Sequence, residues 1–190
     1  MSNPLSVVII AKNEEKFIGD AIRSAEFADE ILILDSDSTD DTCKIAKQLG
    51  ARVENQAWLG FGPQKNRAVD LATNDWVFVL DSDERIPPKL CSEIITTLKN
   101  PSFDGYFVGR LNNFFGKDIK TCGLYPDYSI RLFNRGKGRF NDVPVHESVE
   151  IEGKVAKLKN HMIHLAYSNV DEFIEKQRYY SELSNKKKNI

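Results

Sequence analysis

The stretch Trp76-Val77-Phe78-Val79-Leu80-Asp81-Ser82-Asp83-Glu84 decides the fold predicted for this chain of 190 residues. Its first five residues are apolar without alternation, which predicts a strand buried on both faces of a parallel sheet. Three carboxylates follow within four positions, and crowded carboxylates at the end of a buried strand are costly unless a cation lies between them. The stretch therefore predicts a divalent-metal site, and its oxygen ligands favour Mg²⁺ or Mn²⁺. The alternative is a polar exit from the strand, leading to a helix that starts at Pro87-Pro88.

Three further strands are predicted upstream: two from buried apolar runs over residues 5–11 and 30–34, and a short third one over residues 52–55. A helical pattern follows each of them, with Asn13 as a candidate N-cap of the first helix, Gly50 ending the second and Pro63 in the first turn of the third. Alternating strands and helices predict right-handed crossovers and a mainly parallel sheet. The ligand-binding edge of such a sheet would then bring together residues 12–14, 35–38 and 81–84.

The second half of the chain has a different pattern. After a helix predicted over residues 88–98, strands are predicted over residues 105–111, 129–133, 145–151 and 162–166, without intervening helices. This pattern predicts a mixed or antiparallel C-terminal extension of the sheet. A last helix is expected to begin at Ser168 or Asn169.

The charge distribution and the cysteines indicate which kinds of partner and which cellular compartment suit the protein. The net charge of −2 hides an asymmetry, because residues 1–100 hold 11 Lys/Arg and 17 Asp/Glu whereas residues 101–190 hold 15 and 11. The acidic half suits cations, and the basic half suits an anionic partner or surface. Cys43, Cys91 and Cys122 show no paired spacing, which fits reduced thiols in the cytoplasm. We expect neither a signal peptide nor a spanning helix, so that membrane contact would be peripheral.

Two common nucleotide-binding motifs are absent from the sequence. A P-loop would need G-x-x-x-x-G-K-[ST], and a dinucleotide-binding strand-turn-helix would need G-x-G-x-x-G after the first strand. A sugar-nucleotide transferase needs other parts: a carboxylate for the nucleobase, a metal for the diphosphate and a base for the acceptor hydroxyl. The carboxylates of the predicted sheet edge supply candidates for these parts.

Four segments carry a resemblance to a known family: Val7-Val8-Ile9-Ile10-Ala11-Lys12-Asn13-Glu14-Glu15, Ile33-Leu34-Asp35-Ser36-Asp37-Ser38-Thr39-Asp40-Asp41-Thr42, Gly62-Pro63-Gln64-Lys65-Asn66-Arg67-Ala68 and Val79-Leu80-Asp81-Ser82-Asp83-Glu84. In order and spacing they resemble the motifs of family 2 inverting glycosyltransferases with the GT-A fold. The resemblance continues more weakly through Arg131-Leu132-Phe133 and Val145-His146-Glu147 to His164. The chain is most similar to the bacterial lipopolysaccharide-core β-glucosyltransferase branch. It departs from the usual Asp-Asp-Gly-Ser pattern, which reads Asp35-Ser36-Asp37-Ser38 here.

The resemblance implies one α/β glycosyltransferase domain of GT-A type over residues 1–190, with a nucleotide-sugar-binding half at 1–100 and an acceptor-binding half at 101–190. It implies that Ala11, Asn13 and Glu14 line the nucleotide pocket. Asp35 would accept a hydrogen bond from the base, and Lys65 would approach the diphosphate or the sugar. Each of these residues also has a purely structural interpretation, such as a helix cap for Asn13 or a strand end for Asp35.

The resemblance also implies the metal and catalytic residues. Asp83 would bind the metal, Asp81 the sugar or a metal-bound water, and His164 would complete the metal shell or touch the diphosphate. Glu147 is the preferred catalytic base, because His146-Glu147 recurs in the branch and a loop after Pro144 would hold a carboxylate over the sugar. Asp127 and Asp142 are alternative bases, and Glu147 alternatively forms an ion pair with a nearby basic residue.

The expected activity is metal-dependent, inverting transfer of a hexose from a UDP-sugar to a glycan or glycolipid acceptor such as lipopolysaccharide core. The donor is a nucleotide sugar, the metal Mg²⁺ or Mn²⁺, and no nucleic-acid partner is expected. The expected location is the cytoplasm, with peripheral contact at the inner membrane surface. Alternatives are a polyprenyl-phosphate sugar transferase and a catalytically inactive nucleotide-sugar-binding module. A nucleotidyltransferase is disfavoured, because no Gly-rich loop follows the first strand.

Overall fold

The computed structural model describes residues 3–121, 125–143, 147–167, 169–171, 173, 174 and 178. Cys122, the predicted strand start at Val145 and most of the predicted last helix lie outside these residues. Within them, the chain forms strands and helices in the order expected from the sequence for the first half, followed by a strand-rich second half.

The first half alternates strands and helices: β1 (Leu5–Ala11), α1 (Ile18–Ser24), β2 (Glu30–Asp35), α2 (Thr42–Gln48), β3 (Arg52–Asn55), α3 (Phe61–Leu71) and β4 (Trp76–Val79). These strands lie in the order β3-β2-β1-β4, and every neighbouring pair is parallel. All four residues of β4 are buried, as expected for a strand covered on both faces. The predicted parallel sheet is confirmed.

The second half contains β5 (Glu84–Arg85), α4 (Pro88–Lys99), β6 (Gly105–Phe114), β7 (Lys117–Ile119), β8 (Asp127–Asn134), β9 (Gly138–Phe140), β10 (Val149–Ile151) and β11 (Val155–Tyr167). The main sheet continues from β4 through β8, β6 and β11 to β5, and β7 pairs with β6. Both β8 pairings are antiparallel, whereas β6 and β11 are parallel. The predicted mixed extension is therefore confirmed, and β9 and β10 form a separate hairpin.

Two apolar clusters cover the two faces of the sheet. One joins β1 and β4 to α1 and α4 and includes the fully buried Ile22, Phe78 and Leu90. The other packs α3 and the β9–β10 hairpin on the opposite face, around Val69 and Phe133. Because both faces of the sheet are covered, polar groups concentrate at the carboxyl ends of the strands. We call this part of the molecule the acidic edge; it consists of residues 12–14, 35–38 and 81–84.

Several local predictions were wrong. Asn13 does not cap the first helix, because α1 begins at Ile18 with Phe17 at its N-cap and Asn13 lies in a turn with a φ of 56°. Leu80 lies beyond β4, and Glu147 and Ser148, which the predicted strand over residues 145–151 includes, precede the observed strand at Val149–Ile151. Among the described residues, no helix has both the length and the apolar character that crossing a bilayer requires.

Candidate active site at the acidic edge

The turn from Asp81 to Glu84 is fixed by reciprocal hydrogen bonds. The N–H of Glu84 donates to the carbonyl of Asp81 at 3.0 Å, and the N–H of Asp81 donates to Oε2 of Glu84 at 3.0 Å. Glu84 then enters β5, where it pairs with His164 of β11. The N–H of Leu165 donates to the carbonyl of Asp83 at 2.9 Å. These contacts hold the Asp83 carboxylate beside His164.

The Asp83–His164 pair has the geometry of two neighbouring metal ligands. Oδ2 of Asp83 lies 3.4 Å from Nε2 of His164. Nδ1 of His164 lies 2.7 Å from Oδ1 of Asn112, and an amide oxygen only accepts, so Nδ1 carries a proton. In the neutral imidazole, Nε2 then presents its lone pair towards a carboxylate. Adjacent ligands of an octahedral ion with bonds of about 2.1 Å lie about 3 Å apart, so the pair fits a shared divalent cation.

The protein alone supplies few ligands to such an ion. Within the described ranges, no group of three or more His, Cys, Asp and Glu side chains converges on one point. Mg²⁺ sites of this kind bind through one or two protein ligands together with substrate phosphates and water. The donor set present therefore fits a metal whose coordination a diphosphate completes.

Lys65 joins Asp81 to Glu147. It lies on the buried face of α3 and is 5% exposed, with its Nζ 3.0 Å from Oδ1 of Asp81 and 2.8 Å from Oε1 of Glu147. Burial opposes its charge, but the Asp81 and Glu147 carboxylates outweigh burial and raise the pKa of Lys65 above its usual value. The side chain is therefore a fixed cation at the acidic edge.

The β9–β10 hairpin places Glu147 over α3. Asn66 of α3 donates through Nδ2 to the carbonyl of Phe140 at 2.8 Å and accepts from its N–H at 2.9 Å. Gly62 allows a close approach, because a Cβ atom there would lie 2.3 Å from the carbonyl oxygen of Asn141. Glu147 precedes β10 and pairs with Lys65, 82 residues away in sequence. The predicted ion pair exists in this structure, and the role of Glu147 as a base stays a prediction.

Arg131 compensates the remaining buried carboxylates. It is 5% exposed, and its Nη2 lies 2.7 Å from Oε1 of Glu84 and 3.1 Å from Oδ2 of Asp81. Burial opposes its charge, but Glu84 and Asp81 raise the pKa of Arg131 above its usual value. Burial would also raise the pKa of Asp81, but Lys65 and Arg131 hold it well below its usual range.

These cations correct one step of the sequence argument. The charges of Asp81 and Glu84 do not require a metal, because Arg131 lies between these two carboxylates and Lys65 pairs with Asp81. The metal prediction is therefore narrowed to Asp83 with His164. Asp81 stays a predicted contact for the sugar or for a metal-bound water.

The loops after β1 and β2 are cross-linked around Asp35. Asp35 is 2% exposed, and its carboxylate accepts the N–H of Ser38 at 2.9 Å and the Ser38 hydroxyl at 2.5 Å. The Ser38 hydroxyl also accepts the N–H of Asn13 at 2.9 Å, and Oδ1 of Asn13 accepts the N–H of Thr39 at 2.8 Å. Asn13 therefore fixes the path of the second loop instead of capping a helix.

The other predicted pocket residues lie at the same edge. Ala11 is the buried last residue of β1 and pairs with Asp35. The N–H of Glu14 donates to Oγ1 of Thr42 at 2.7 Å. An open cleft of about 310 Å³ brings Asp83 together with the loop after β1; its lining residues are Asn13, Glu14, Glu15, Lys16, Phe17, Asp40 and Asp83.

The alternative bases lie in different surroundings. Oδ2 of Asp127 accepts from Nε of Arg110 at 2.9 Å, and the Asp127 side chain is 40% exposed. Asp142 is exposed beside the β9–β10 hairpin. The structure therefore brings Glu147 into contact with Lys65 and, through it, with Asp81, whereas Asp127 is paired with an arginine of β6.

Sequence reasoning missed the roles of Arg131, Glu84 and Asn112. A signal was present for Arg131, because it interrupts an apolar strand run that includes Ile130 and Leu132. An arginine in such a strand needs a buried anionic partner. No comparable signal marked Asn112, whose contact with His164 spans 52 positions of sequence.

Comparisons with known proteins identify the family of the chain. The family model for glycosyl transferase family 2 matches residues 6–146. The lipopolysaccharide core biosynthesis glycosyltransferase LpsC of Rhizobium meliloti is 33% identical over 189 residues, covering 95% of this chain and 70% of its own length. An uncharacterized glycosyltransferase of Rickettsia typhi is 32% identical over 190 residues, covering 93% of this chain. The alignment spans 65% of that relative's length.

Solved structures also match the fold. Glucosyl-3-phosphoglycerate synthase from Mycobacterium tuberculosis, in complex with Mn²⁺, UDP and glucosyl-3-phosphoglycerate, has a TM-score of 0.53 and 25% identity, over 70% of this chain and 57% of that chain. The same enzyme in complex with UDP has a TM-score of 0.54 over the same shares. The predicted GT-A-like α/β fold is confirmed. The family match covers well over half of the sequence, and this chain therefore belongs to glycosyl transferase family 2.

Proposed function

We propose that this glycosyltransferase moves a hexose from a UDP-sugar to a glycan or glycolipid acceptor, by a metal-dependent reaction that inverts the anomeric carbon. The observation that carries the proposal is the 3.4 Å approach of Asp83 Oδ2 to His164 Nε2, together with the fixed ammonium of Lys65 on Asp81 of the same turn. A diphosphate needs cations of this kind, because it would otherwise be repelled by the carboxylates of the acidic edge.

The donor would be held from two sides. Asp83 and His164 would hold a divalent ion, Mg²⁺ or Mn²⁺, which when bound offsets the charge of the diphosphate as the leaving group departs. Lys65 would approach the diphosphate or the sugar from α3, within reach because its Nζ already touches Asp81. The complexes of the mycobacterial synthase with UDP and Mn²⁺ support this donor and metal class.

Glu147 is proposed as the base for the acceptor. Inversion in a single displacement requires the acceptor hydroxyl to attack opposite the diphosphate while one carboxylate removes its proton. Glu147 suits this task better than Asp81, because Asp81 pairs with two cations, Lys65 and Arg131, whereas Glu147 pairs with Lys65 alone among the described ion pairs. The Glu147 carboxylate enters the edge from the second half of the chain, where the acceptor is expected.

The acceptor is proposed from similarity. LpsC is named as a lipopolysaccharide core biosynthesis enzyme, which supports a lipopolysaccharide-core or related glycolipid acceptor. An acceptor of that kind would lie at a membrane surface, consistent with peripheral contact. Transfer to a polyprenyl phosphate and an inactive binding module are the competing possibilities, and metal-dependent release of UDP from a UDP-sugar would exclude the inactive module.

The proposal predicts metal-dependent donor binding that fails in Asp83→Ala. In a thermal-shift titration with UDP and Mn²⁺, ligand at 100 times its Kd stabilises a protein by about 2.7 kcal/mol. The Asp83→Ala variant should lose most of the metal-dependent part of this gain. Asp75→Ala is the matched control, because its side chain is 81% exposed and pairs only with Arg135 at 3.7 Å among the ion pairs of the described chain. Equal stabilisation of wild type and Asp83→Ala would count against the site.

A second prediction tests His164. His164→Gln is expected to weaken Mn²⁺ binding in the presence of UDP by about 10- to 100-fold or more. Removing a hydrogen-bond partner of a metal ligand already costs that much, and His164 would be a ligand itself. His161→Gln is the control, because His161 lies on the same strand and contacts Tyr125 through Nδ1 at 3.2 Å instead of Asp83. Isothermal titration of both variants with Mn²⁺ in the presence of UDP should show weaker metal binding in His164→Gln and unchanged metal binding in His161→Gln. If His164→Gln keeps normal metal affinity and turnover, His164 is a structural residue of β11.

A further inference from the structure

Four aromatic side chains form a continuous surface patch where β6 and β11 end. The ring centroids of Phe114 and Phe115 are 6.4 Å apart, and the Tyr167 ring lies 4.9 Å from Phe114 on one side and 4.9 Å from Phe173 on the other. We call these four residues the aromatic patch. Phe115 is 47% exposed and Phe173 37%, and the neighbouring Ile174 is exposed as well. Exposed apolar side chains that adjoin one another mark an interaction surface.

Phe115 lies at the tip of a hairpin, where its side chain serves no local purpose. Phe115 and Gly116 form the two-residue turn between β6 and β7, with φ angles of 54° and 79°. Turns with two such angles favour Asn-Gly, and a bulky residue in the left-handed conformation is uncommon. The exposed ring gains little packing within the fold to offset this cost. Its position therefore agrees with a contact outside the molecule.

The aromatic patch lies at the same edge of the sheet as the Asp83–His164 pair. In the parallel pairing of β6 and β11, His164 is opposite Asn112 and Tyr167 is opposite Phe114. At about 3.3 Å per residue, Tyr167 lies about 10 Å beyond His164 along the strand. Whatever binds the aromatic patch is therefore held beside the candidate active site, on the side of the second half of the chain.

The charges next to the aromatic patch indicate what binds it. Lys117 pairs with Phe114 across the hairpin and is exposed, and Lys120 follows β7 and is exposed as well. The hairpin's acidic residue, Asp118, accepts from Nδ2 of Asn113 at 2.8 Å. Residues 101–190 together hold 15 Lys/Arg and 11 Asp/Glu. Aromatic rings flanked by lysines suit the headgroup region of an anionic bilayer, where the rings leave water and the ammonium groups meet lipid phosphates.

We propose that the aromatic patch docks the enzyme on an anionic bilayer, with the Phe115 ring at the level of the lipid headgroups and Lys117 beside anionic lipid. This inference rests on the proposed function for its purpose, because a glycolipid acceptor is held in a bilayer. Docking through this patch would place the acidic edge next to the lipid surface. The sugar of the acceptor then reaches the candidate active site while its lipid part stays in the membrane.

The test is co-sedimentation of the whole chain with phosphatidylcholine vesicles, with and without about one third phosphatidylglycerol. Wild type should bind the anionic vesicles. Phe115→Asn should weaken this binding about fivefold or more, since full burial of a Phe side chain is worth about 10- to 100-fold and about half of this residue is available. Because Asn suits the turn before Gly116, this variant should be at least as stable as wild type.

Two further variants separate the parts of the proposed surface. Lys117→Gln should weaken binding to the anionic vesicles about fivefold and leave binding to neutral vesicles unchanged. Phe103→Asn is the matched control, because Phe103 is 37% exposed and precedes β6 at the opposite end of that strand. It should bind the anionic vesicles as wild type does.

Three results would overturn the inference. The first is a wild type that stays in solution with anionic vesicles, and the second is binding that neither Phe115→Asn nor Lys117→Gln weakens. The third is a wild-type dimer that Phe115→Asn dissociates in sedimentation velocity without changing vesicle binding, which would assign the aromatic patch to a second copy of the chain. If Phe115→Asn is less stable than wild type, Lys117→Gln decides, because it leaves the rings intact.

Vesicle binding is measured without donor or metal, so its failure is distinct from failure of the proposed function. A protein that releases UDP from a UDP-sugar but ignores anionic vesicles keeps its proposed reaction and loses this docking surface. A protein that binds vesicles through the aromatic patch but binds no UDP with Mn²⁺ keeps the surface and loses the proposed reaction.

Discussion

Glu147→Gln is expected to lower kcat by about 10²- to 10⁴-fold while donor affinity stays close to normal. A general base acts mainly in the transition state, when the acceptor hydroxyl loses its proton, so its removal affects kcat more than binding. The substitution also removes the negative charge that holds Lys65 at 2.8 Å, which leaves this ammonium more available to a diphosphate. Release of UDP from a UDP-hexose gives kcat, and isothermal titration with UDP gives the affinity.

Two variants test the alternative bases. Like Glu147→Gln, Asp127→Asn and Asp142→Asn each convert a carboxylate to an amide. The Asp127 carboxylate is paired with Arg110, and Asp142 is exposed. We expect both to keep most of the turnover. Near-normal turnover of Glu147→Gln together with collapse in one of these variants would move the base to that residue. A Glu147→Gln variant with weak UDP binding and an intact kcat would instead identify Glu147 as a partner of Lys65 only.

The parallel half of the fold was predictable because its signals are local. Strands β1, β2 and β4 are short, mostly apolar runs that end in polar turns, and the observed bounds of β1 and β3 match the predicted ones. Topology then follows from the alternation of strands and helices. The same rule brought the loops after β1, β2 and β4 to one edge, so Asp83 and the cleft residues Asn13 and Glu14 were predictable as neighbours.

The charge network of the site was not predictable, since its contacts join distant parts of the chain. Lys65 and Glu147 are 82 positions apart, and Arg131 and Asp81 are 50 positions apart. A local pattern shows that a carboxylate at the end of a buried strand needs a cation, but it does not say whether the cation is a metal or a side chain. Here side chains compensate Asp81 and Glu84, which restricts the proposed metal to Asp83.

Capping rules failed in the loop after β1 for a physical reason. Asn13 precedes two glutamates and matches the pattern of a helix start, yet its side-chain oxygen accepts from Thr39 of the neighbouring loop. The capping bond and this cross-loop bond use the same oxygen, and the tertiary contact prevails. Similarly, the two-residue strand β5 carries too few residues for a periodic signal, although it sets the position of Glu84.

Arg131→Met should destabilise the protein by about 3–5 kcal/mol, the usual cost of removing one partner of a buried ion pair. The substitution leaves Glu84, which is fully buried, without its 2.7 Å partner and leaves Asp81 with Lys65 alone. Urea unfolding at pH 7.5 measures the loss. The exposed Arg139–Asp70 pair gives the control, because Arg139→Met removes an ion pair whose side chains are 53% and 44% exposed and should cost at most about 1 kcal/mol.

The pH dependence of unfolding tests whether buried charges cause the loss of stability in Arg131→Met. In wild type, the lowered pKa of Asp81 means that its ion pairs stabilise above its unfolded pKa of about 3.9, and this stability is lost as the pH falls. Burial already raises the pKa of Glu84, and loss of Arg131 should raise it further. A raised carboxyl pKa costs stability as the pH rises, so the deficit of Arg131→Met should shrink between pH 7.5 and pH 5.5. Without Arg131, the buried Glu84 carboxylate keeps only the more distant Arg110, whose Nη1 lies 3.7 Å from Oε1. Glu84→Gln in the same chain should therefore restore a large part of the loss at pH 7.5, because it removes this poorly compensated charge. A double variant as unstable as Arg131→Met alone would show that lost packing, and not charge, causes the defect.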